Sequence, residues 1–295
     1  MKRPLHLFVY VILHCLVIFS LINIPGFSYA MDILPWREEI ASIKIASFNI
    51  QVFGRSKADK PEVIETLAKI INEFDIIAIQ EIRDSSGTAI DKLEDAVDAQ
   101  GIDYEYVIGP RLGRTSSKEQ YAFMYRTDKI EPIRNATYED SEDIFHREPF
   151  MVYFKIKNGR FDFVLINIHT DPDEATEEIN SLPKAVIKAR DLFNESDIII
   201  LGDLNADCKR GDAYFDEDNL SSSLRLSDYL WLIPNDADTN LAESDCTYDR
   251  IIITRNALED YKSEWGVFLF DGLYNLDNEE ARKVSDHYPV WAEFY

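Results

Sequence analysis

Basic residues are scarce in this chain and never cluster: 31 lysines and arginines stand against 54 acids, a net charge of −23. Such a molecule repels polyanions at long range. Any chemistry on nucleic acids or phosphate esters would have to rest on metal ions and a few local arginines. Cysteine is sparse too, with Cys15, Cys208 and Cys246 the only three, which excludes a disulfide-dense scaffold. Beyond residue 30 the histidines are His146, His169 and His287, and none has a cysteine at the short spacing of a zinc site. Repeats, low-complexity tracts and linkers are also missing, which argues for one domain of mixed strands and helices.

One long hydrophobic run is present, Leu7 to Ile24, behind Lys2 and Arg3 and ahead of Ser28-Tyr29-Ala30. It reads as a secretory signal peptide over residues 1–30. The run is long for a signal core, and the alternative is an uncleaved membrane anchor. Pro25 and Gly26, which break the helix just before the small residues, favour cleavage after Ala30. Cleavage removes Lys2 and Arg3 and no acid, taking the charge from −23 to −25. The mature chain is then expected to be secreted, or periplasmic in a host with two membranes, with no stable membrane association. In that oxidising compartment Cys208 and Cys246 are expected to form a disulfide. Residues 31–41 read as a leader.

The mature chain is organised around Asp197 to Cys208, DIIILGDLNADC. Ile198 to Leu201 are too few for a helix and too continuous for a half-exposed strand, so they predict a strand buried on both faces. Asp203, Asn205 and Asp207 follow at a spacing of two, which in extended backbone puts their polar ends on one side. The same grammar recurs. Strands are expected at Ile43–Ile50, Asp75–Gln80, Tyr104–Ile108, Tyr121–Arg126, Phe150–Lys155, Phe161–Ile168, from Asp249, and at Val290–Tyr295. Helices are expected at Pro61–Phe74, Thr88–Gln100, Glu177–Phe193 and Leu220–Leu230.

Polar residues gather where these strands end: Asn49, Glu81, His169, Asp203, Asn205, Asp249 and the pair Asp286-His287. Loops beyond strand ends are where rigid scaffolds place their chemistry. Acids and amides with few histidines suit Mg²⁺, Mn²⁺ or Ca²⁺. Two of the three remaining histidines fall in this set. An imidazole held by a carboxylate is suited to proton transfer near neutrality.

FNIQVFG, IQEIRD, LGRTSSKEQYAF, HREP, GDLNADC, WLIPNDADT, CTYDRI and SDHYPV follow one another in the order found in the secreted deoxyribonuclease I branch of the endonuclease/exonuclease/phosphatase superfamily. The chain resembles that branch over about residues 42 to 295, its expected catalytic domain. GDLN and SDH alone indicate the superfamily; REP, WLIP and the cysteine pair point to the branch. The resemblance implies a four-layer α/β-sandwich, two mixed β-sheets packed face to face with helices outside. It implies a monomeric enzyme acting on DNA phosphodiesters with Mg²⁺ or Mn²⁺.

By match of motif, Glu119 should pair with His169 and Asp249 with His287, one imidazole activating water and the other protonating the leaving 3′ oxygen. Glu81, with Asn49, Asp203, Asn205 and Asp286, should position the metal. Arg83 and Arg147 match substrate-side arginines. Asp143 and Glu148, and separately Asp238, resemble structural Ca²⁺ loops. Three departures stand out: Ser117 replaces a tyrosine that packs in the minor groove, Gln51 replaces an arginine, and the loop Glu139–Asp143 is short and lacks a second disulfide. Two other readings stay open, a secreted phosphodiesterase acting on a lipid or other small phosphodiester, and a toxin-like binding subunit with weak nuclease activity.

Overall fold

The computed structural model describes residues 42–208, 224 and 226–295. The expected signal peptide, the leader and most of the expected helix Leu220–Leu230 lie outside the described residues. Where that last segment is described it corrects the expectation, because Tyr229–Trp231 is a strand.

Two six-stranded mixed sheets form the body. The first contains β1 (Ile43–Phe53), β2 (Ile76–Ile82), β3 (Tyr104–Ile108), β4 (Gln120–Arg126), β11 (Tyr261–Val267) and β12 (Val290–Phe294), in the order β11-β12-β1-β2-β4-β3. The second contains β5 (Ile130–Thr137), β6 (Phe150–Ile156), β7 (Asp162–His169), β8 (Ile198–Asp203), β9 (Tyr229–Trp231) and β10 (Asp249–Thr254), in the order β5-β6-β7-β8-β10-β9. The helices are α1 (Arg55–Ala58), α2 (Pro61–Ile71), α3 (Thr88–Asp98), α4 (Ala175–Phe193), α5 (Phe270–Tyr274) and α6 (Asn278–Val284).

The continuous apolar runs are explained by burial on two sides. Along β2, Ile76 and Ala78 enter the core between the sheets, while Ile77 and Ile79 face Val63, Leu67, Ile70 and Leu93 of α2 and α3. Along β8, Ile199 and Leu201 point inward and Ile198 and Ile200 outward, toward Ile179, Leu182 and Val186 of α4. A period of two in side-chain direction thus fills three apolar layers from strands that look uniformly hydrophobic. Truncating one such residue, as in Leu201→Ala, would cost about 2–5 kcal/mol.

Each sheet has a single parallel pair, β1 with β2 and β7 with β8, each joined by a helical crossover. A crossover returns the chain to the same end of the sheet, so the C-terminal ends of both strands in a pair lie side by side. Asn49 and Glu81 therefore meet at one sheet's edge, and His169 and Asp203 at the other's. Gly202 makes the second meeting possible. Its φ is 149°, and a Cβ there would lie 1.8 Å from the Ile168 carbonyl oxygen, so no other residue lets β8 pass β7 so closely.

Candidate active site

Three neighbouring strands place one row of polar side chains. His169 on β7 is in register with Asp203 on β8, which is in register with Asp249 on β10. Across the gap the first sheet contributes Asn49 and Glu81. Asn49 links the two edges through Nδ2, which donates to Glu81 Oε1 at 3.2 Å and to Asp203 Oδ2 at 2.9 Å.

Two carboxylate–imidazole pairs flank this link. His169 Nδ1 lies 2.9 Å from Glu119 Oε2, and His287 Nδ1 lies 2.8 Å from Asp249 Oδ2. With each Nδ1 engaged, each Nε2 is left facing the site, and both face one oxygen: Asp203 Oδ2 is 3.6 Å from His169 Nε2 and 3.5 Å from His287 Nε2. All five of these side chains are buried. Asp286 stands at the open side, its Oδ1 3.9 Å from His287 Nε2. Asn205, at φ 47°, donates from Nδ2 to the Thr170 carbonyl at 3.1 Å and from its backbone to Asp203 Oδ1 at 2.9 Å.

Electrostatics follow the geometry. Burial alone would raise the Glu119 carboxyl, but the His169 hydrogen bond and the charges of Arg147 and Arg83 bring it down to about 2. Burial opposes an imidazolium at His287, yet Asp249 and Asp203 outweigh it and raise the histidine above its ordinary range. His169 is also raised, although burial and Arg147 oppose its protonation while Glu119 and Asp203 favour it. Asp203 is held below the usual carboxylate range against burial, by the two imidazoles and the Asn49 amide.

The arginines are tied to these acids. Arg83 Nη2 donates to Glu119 Oε1 at 2.8 Å and lies 3.0 Å from Glu81 Oε2, and Nη1 reaches Ser117 Oγ at 3.3 Å. Arg147 is buried. It donates to the carbonyls of His169 and Thr170 at 3.1 and 3.2 Å, and its Nε is 3.6 Å from Glu119 Oε2. It braces the Glu119–His169 pair from behind instead of standing out toward solvent.

Asp143 and Asp238 of the expected calcium loops have local partners. Asp143 pairs with Arg114 at 3.2 Å, and Asp238 Oδ1 accepts from the Asn240 backbone at 3.2 Å within a local turn. Glu148 is half-buried. Among the described residues the one group of three acids, histidines or cysteines whose ligand atoms all lie within 4.8 Å of one another is Asp203, Asp249 and His287. These three can coordinate a divalent ion.

Several contributors are not evident from motifs. Gln80 and Asn167 join across the sheets beneath the site at 2.8 Å, and Gln80 also donates to Ser47 Oγ at 3.0 Å. Their signal in the sequence is a polar residue interrupting an apolar strand one or two positions before Glu81 and His169. Ser285 donates to the Asn49 carbonyl at 2.6 Å and accepts from the His287 backbone at 3.1 Å. Thr239 Oγ1 accepts from the Asp249 backbone at 3.1 Å. Buried Arg250 pins the segment leading to Thr239 by donating to the Ile233 carbonyl and Asn235 Oδ1, both at 2.9 Å.

The Cys208–Cys246 disulfide is formed, with Cα atoms 5.9 Å apart and a sequence separation of 38. It ties the Asp203–Asn205 loop to the segment entering β10, and by chain entropy contributes about 4 kcal/mol. No helix among the described residues is long and apolar enough to cross a membrane.

The Endonuclease/Exonuclease/phosphatase family profile matches residues 46–287. Bovine (Bos taurus) deoxyribonuclease-1 is 35% identical over 261 residues, covering 84% of this chain and 91% of its own. Mouse (Mus musculus) deoxyribonuclease-1-like 2 is 36% identical over 260 residues, covering 86% and 92%. Among solved structures, an endonuclease/exonuclease/phosphatase family protein from Bacteroides thetaiotaomicron superposes with a TM-score of 0.61 at 19% identity, covering 86% and 95% of the two chains. A mannosyl-6-phosphatase from the same species gives 0.56 at 17%, covering 86% and 99%. The structural likenesses, at 19% and 17% identity, establish the fold alone. The sequence likeness is narrower, and with the site geometry it leads to one assignment: the chain belongs to the deoxyribonuclease I group of the endonuclease/exonuclease/phosphatase family.

Proposed function

We propose that this protein is a secreted, Mg²⁺- or Mn²⁺-dependent endonuclease that hydrolyses phosphodiester bonds of double-stranded DNA and leaves 5′-phosphates. Residues 42–295 form its catalytic domain, behind a cleaved signal peptide. The observation that supports this most is the convergence of two carboxylate-held imidazoles on one carboxylate. In-line displacement needs a proton taken from water on one side of phosphorus and a proton given to the departing 3′ oxygen on the other. Glu119 and Asp249 hold Nδ1–H of their histidines, which fixes the tautomer and leaves Nε2 to exchange the proton with the reacting oxygen. The Cys208–Cys246 disulfide supports the oxidising compartment.

The donor set fits a hard divalent cation. Glu81, Asp203 and Asp286 supply carboxylate oxygens and Asn205 an amide oxygen, while the Asn49 amide orients the Glu81 and Asp203 carboxylates and Arg83 lies 3.0 Å from Glu81. Glu81, Asp203, Asn205 and Asp286 would hold the ion, whose chemistry there is to neutralise charge on the phosphoryl oxygens. A second reading puts it at Asp203, Asp249 and His287. We favour the Glu81 side, because it leaves His287 Nε2 for proton transfer while Asp249 holds Nδ1 at 2.8 Å. Structural Ca²⁺ at Asp143 and Glu148, and at Asp238, belongs to the same reading on resemblance alone.

A nicking assay on supercoiled plasmid tests the function. Nicked circles should precede linear DNA, need Mg²⁺ or Mn²⁺, stop with chelator, and be resealed by a ligase that requires 5′-phosphates. Products carrying 3′-phosphates, or activity untouched by chelator, would refute it.

A further inference from the structure

β1 does not run straight into the site. Its pairing with β2 shifts register after Asn49 and resumes at Phe53. Within this bulge Gln51 and Val52 have φ of 43° and 49°. Neither is glycine, and a β-branched valine is strongly disfavoured in that region. Glu81, facing the bulge, has φ 63°. Backbone of this kind persists only where its surroundings over-determine it.

Lys57 on α1 supplies that determination. Its Nζ donates to the Ile50 carbonyl at 2.8 Å and to the Gln51 carbonyl at 2.7 Å, on either side of the first strained residue's amide. The bulge so held does two things for the site. Gln51 N donates to Asn49 Oδ1 at 2.9 Å, which orients the amide, and Val52 N donates to Glu81 Oε2 at 2.8 Å, which orients the carboxylate. Burial lowers the Lys57 ammonium to about 8, although Asp286 and Glu81 act the other way. Hydrogen bonds to two backbone carbonyls are what hold a charge in that place.

We propose that Lys57 is a positioning residue, its two hydrogen bonds clamping the Gln51–Val52 bulge in the conformation that keeps Asn49 and Glu81 ready for the divalent cation. The inference rests on the metal-dependent reading above and extends it to a side chain outside the ligand set. Without the clamp the bulge relaxes, the Val52 amide leaves Glu81, and cation affinity falls. A purely electrostatic lysine would do the opposite: its charge repels a cation, so removing it would tighten binding. The two roles differ in sign.

Mn²⁺ binding to DNA-free protein, followed by calorimetry, reads that sign. Lys57→Met should weaken Mn²⁺ by about tenfold or more, the usual effect of losing a group that orients metal ligands. Gln51→Gly should leave the wild type nearly unchanged and restore Mn²⁺ affinity to Lys57→Met, because glycine accepts φ near 43° without a clamp. Unchanged or tighter binding by Lys57→Met overturns the proposal, and so does failure of the glycine to rescue it. If Lys57→Met does not fold, the double variant decides: folded and binding like the wild type it supports the clamp, unfolded or weak it contradicts it. A wild type that binds no Mn²⁺ and nicks no DNA defeats the functional reading instead. A wild type that nicks, beside a Lys57→Met protein equal to it in Mn²⁺ affinity, defeats the clamp alone.

Discussion

His169 and His287 come from different parts of the chain, yet their Nε2 atoms approach the same oxygen of Asp203, at 3.6 and 3.5 Å. Each is held from behind at Nδ1 by its own acid, so each can act on one side of a bond broken between them. Replacing either by alanine should lower the nicking rate by at least about 10², with circular dichroism unchanged. Near-wild-type nicking by either variant would remove that histidine from proton transfer.

Metal placement is open to a direct contrast. Glu81→Gln should weaken Mn²⁺ binding at least about tenfold, while Asp249→Asn should lower turnover and leave Mn²⁺ affinity close to the wild type. The reverse pattern would move the ion to the Asp203, Asp249 and His287 cluster.

Arg83 bridges Glu81 and Glu119 and touches Ser117. An arginine so engaged supports both the metal carboxylate and the histidine pair. Arg83→Ala should therefore raise KM for duplex DNA and lower kcat together. Ser117→Tyr should lower KM several-fold with little change in kcat, since an aromatic on nucleic acid contributes about 1 kcal/mol or somewhat less in a groove. Both are read in one titration at fixed Mg²⁺ and salt. Silence of both would place the DNA elsewhere on the surface.

Glu119 links the site to acid stability. Its carboxyl titrates near 4.5 when unfolded and near 2 when folded. The depressed value means the folded state prefers the charged form, so this stabilisation is complete above the unfolded value and disappears as pH falls through 4.5 toward 2. It amounts to about 3 kcal/mol at most. Glu119→Gln should be less stable than the wild type at pH 6 and converge with it near pH 2 in denaturant titrations. A constant gap across that range would contradict the ion-pair origin.

Much of this was legible in the sequence. Apolar runs such as Ile198–Leu201 announce doubly buried strands, and the polar residues at their ends mark the site, because strand ends are where a layered fold exposes side chains. The edge strands β5, β9 and β11 were not legible: Ile130–Thr137 and Tyr261–Val267 are mostly exposed or half-buried without a clean alternation, and Tyr229–Trp231 has only three residues. Nor was Lys57, whose role depends on a bulge that leaves no local pattern. Gln80 and Asn167 show only as polar interruptions of apolar strands, and their meeting across the two sheets has no local pattern. The pairing of Arg83 and Arg147 with the protein's own carboxylates and carbonyls was not legible either, because their partners come from distant parts of the chain.

Duplex DNA as substrate is tested most directly by comparing purified enzyme, with Mg²⁺ and at one salt concentration, on supercoiled plasmid, on sphingomyelin vesicles and on a phosphomonoester. Nicking of the plasmid with kcat/KM far above that for either small ester, lost with chelator and in both His169→Ala and His287→Ala, is the expected result. Preferential hydrolysis of the lipid or the monoester, or plasmid nicking that survives both histidine substitutions, would contradict it.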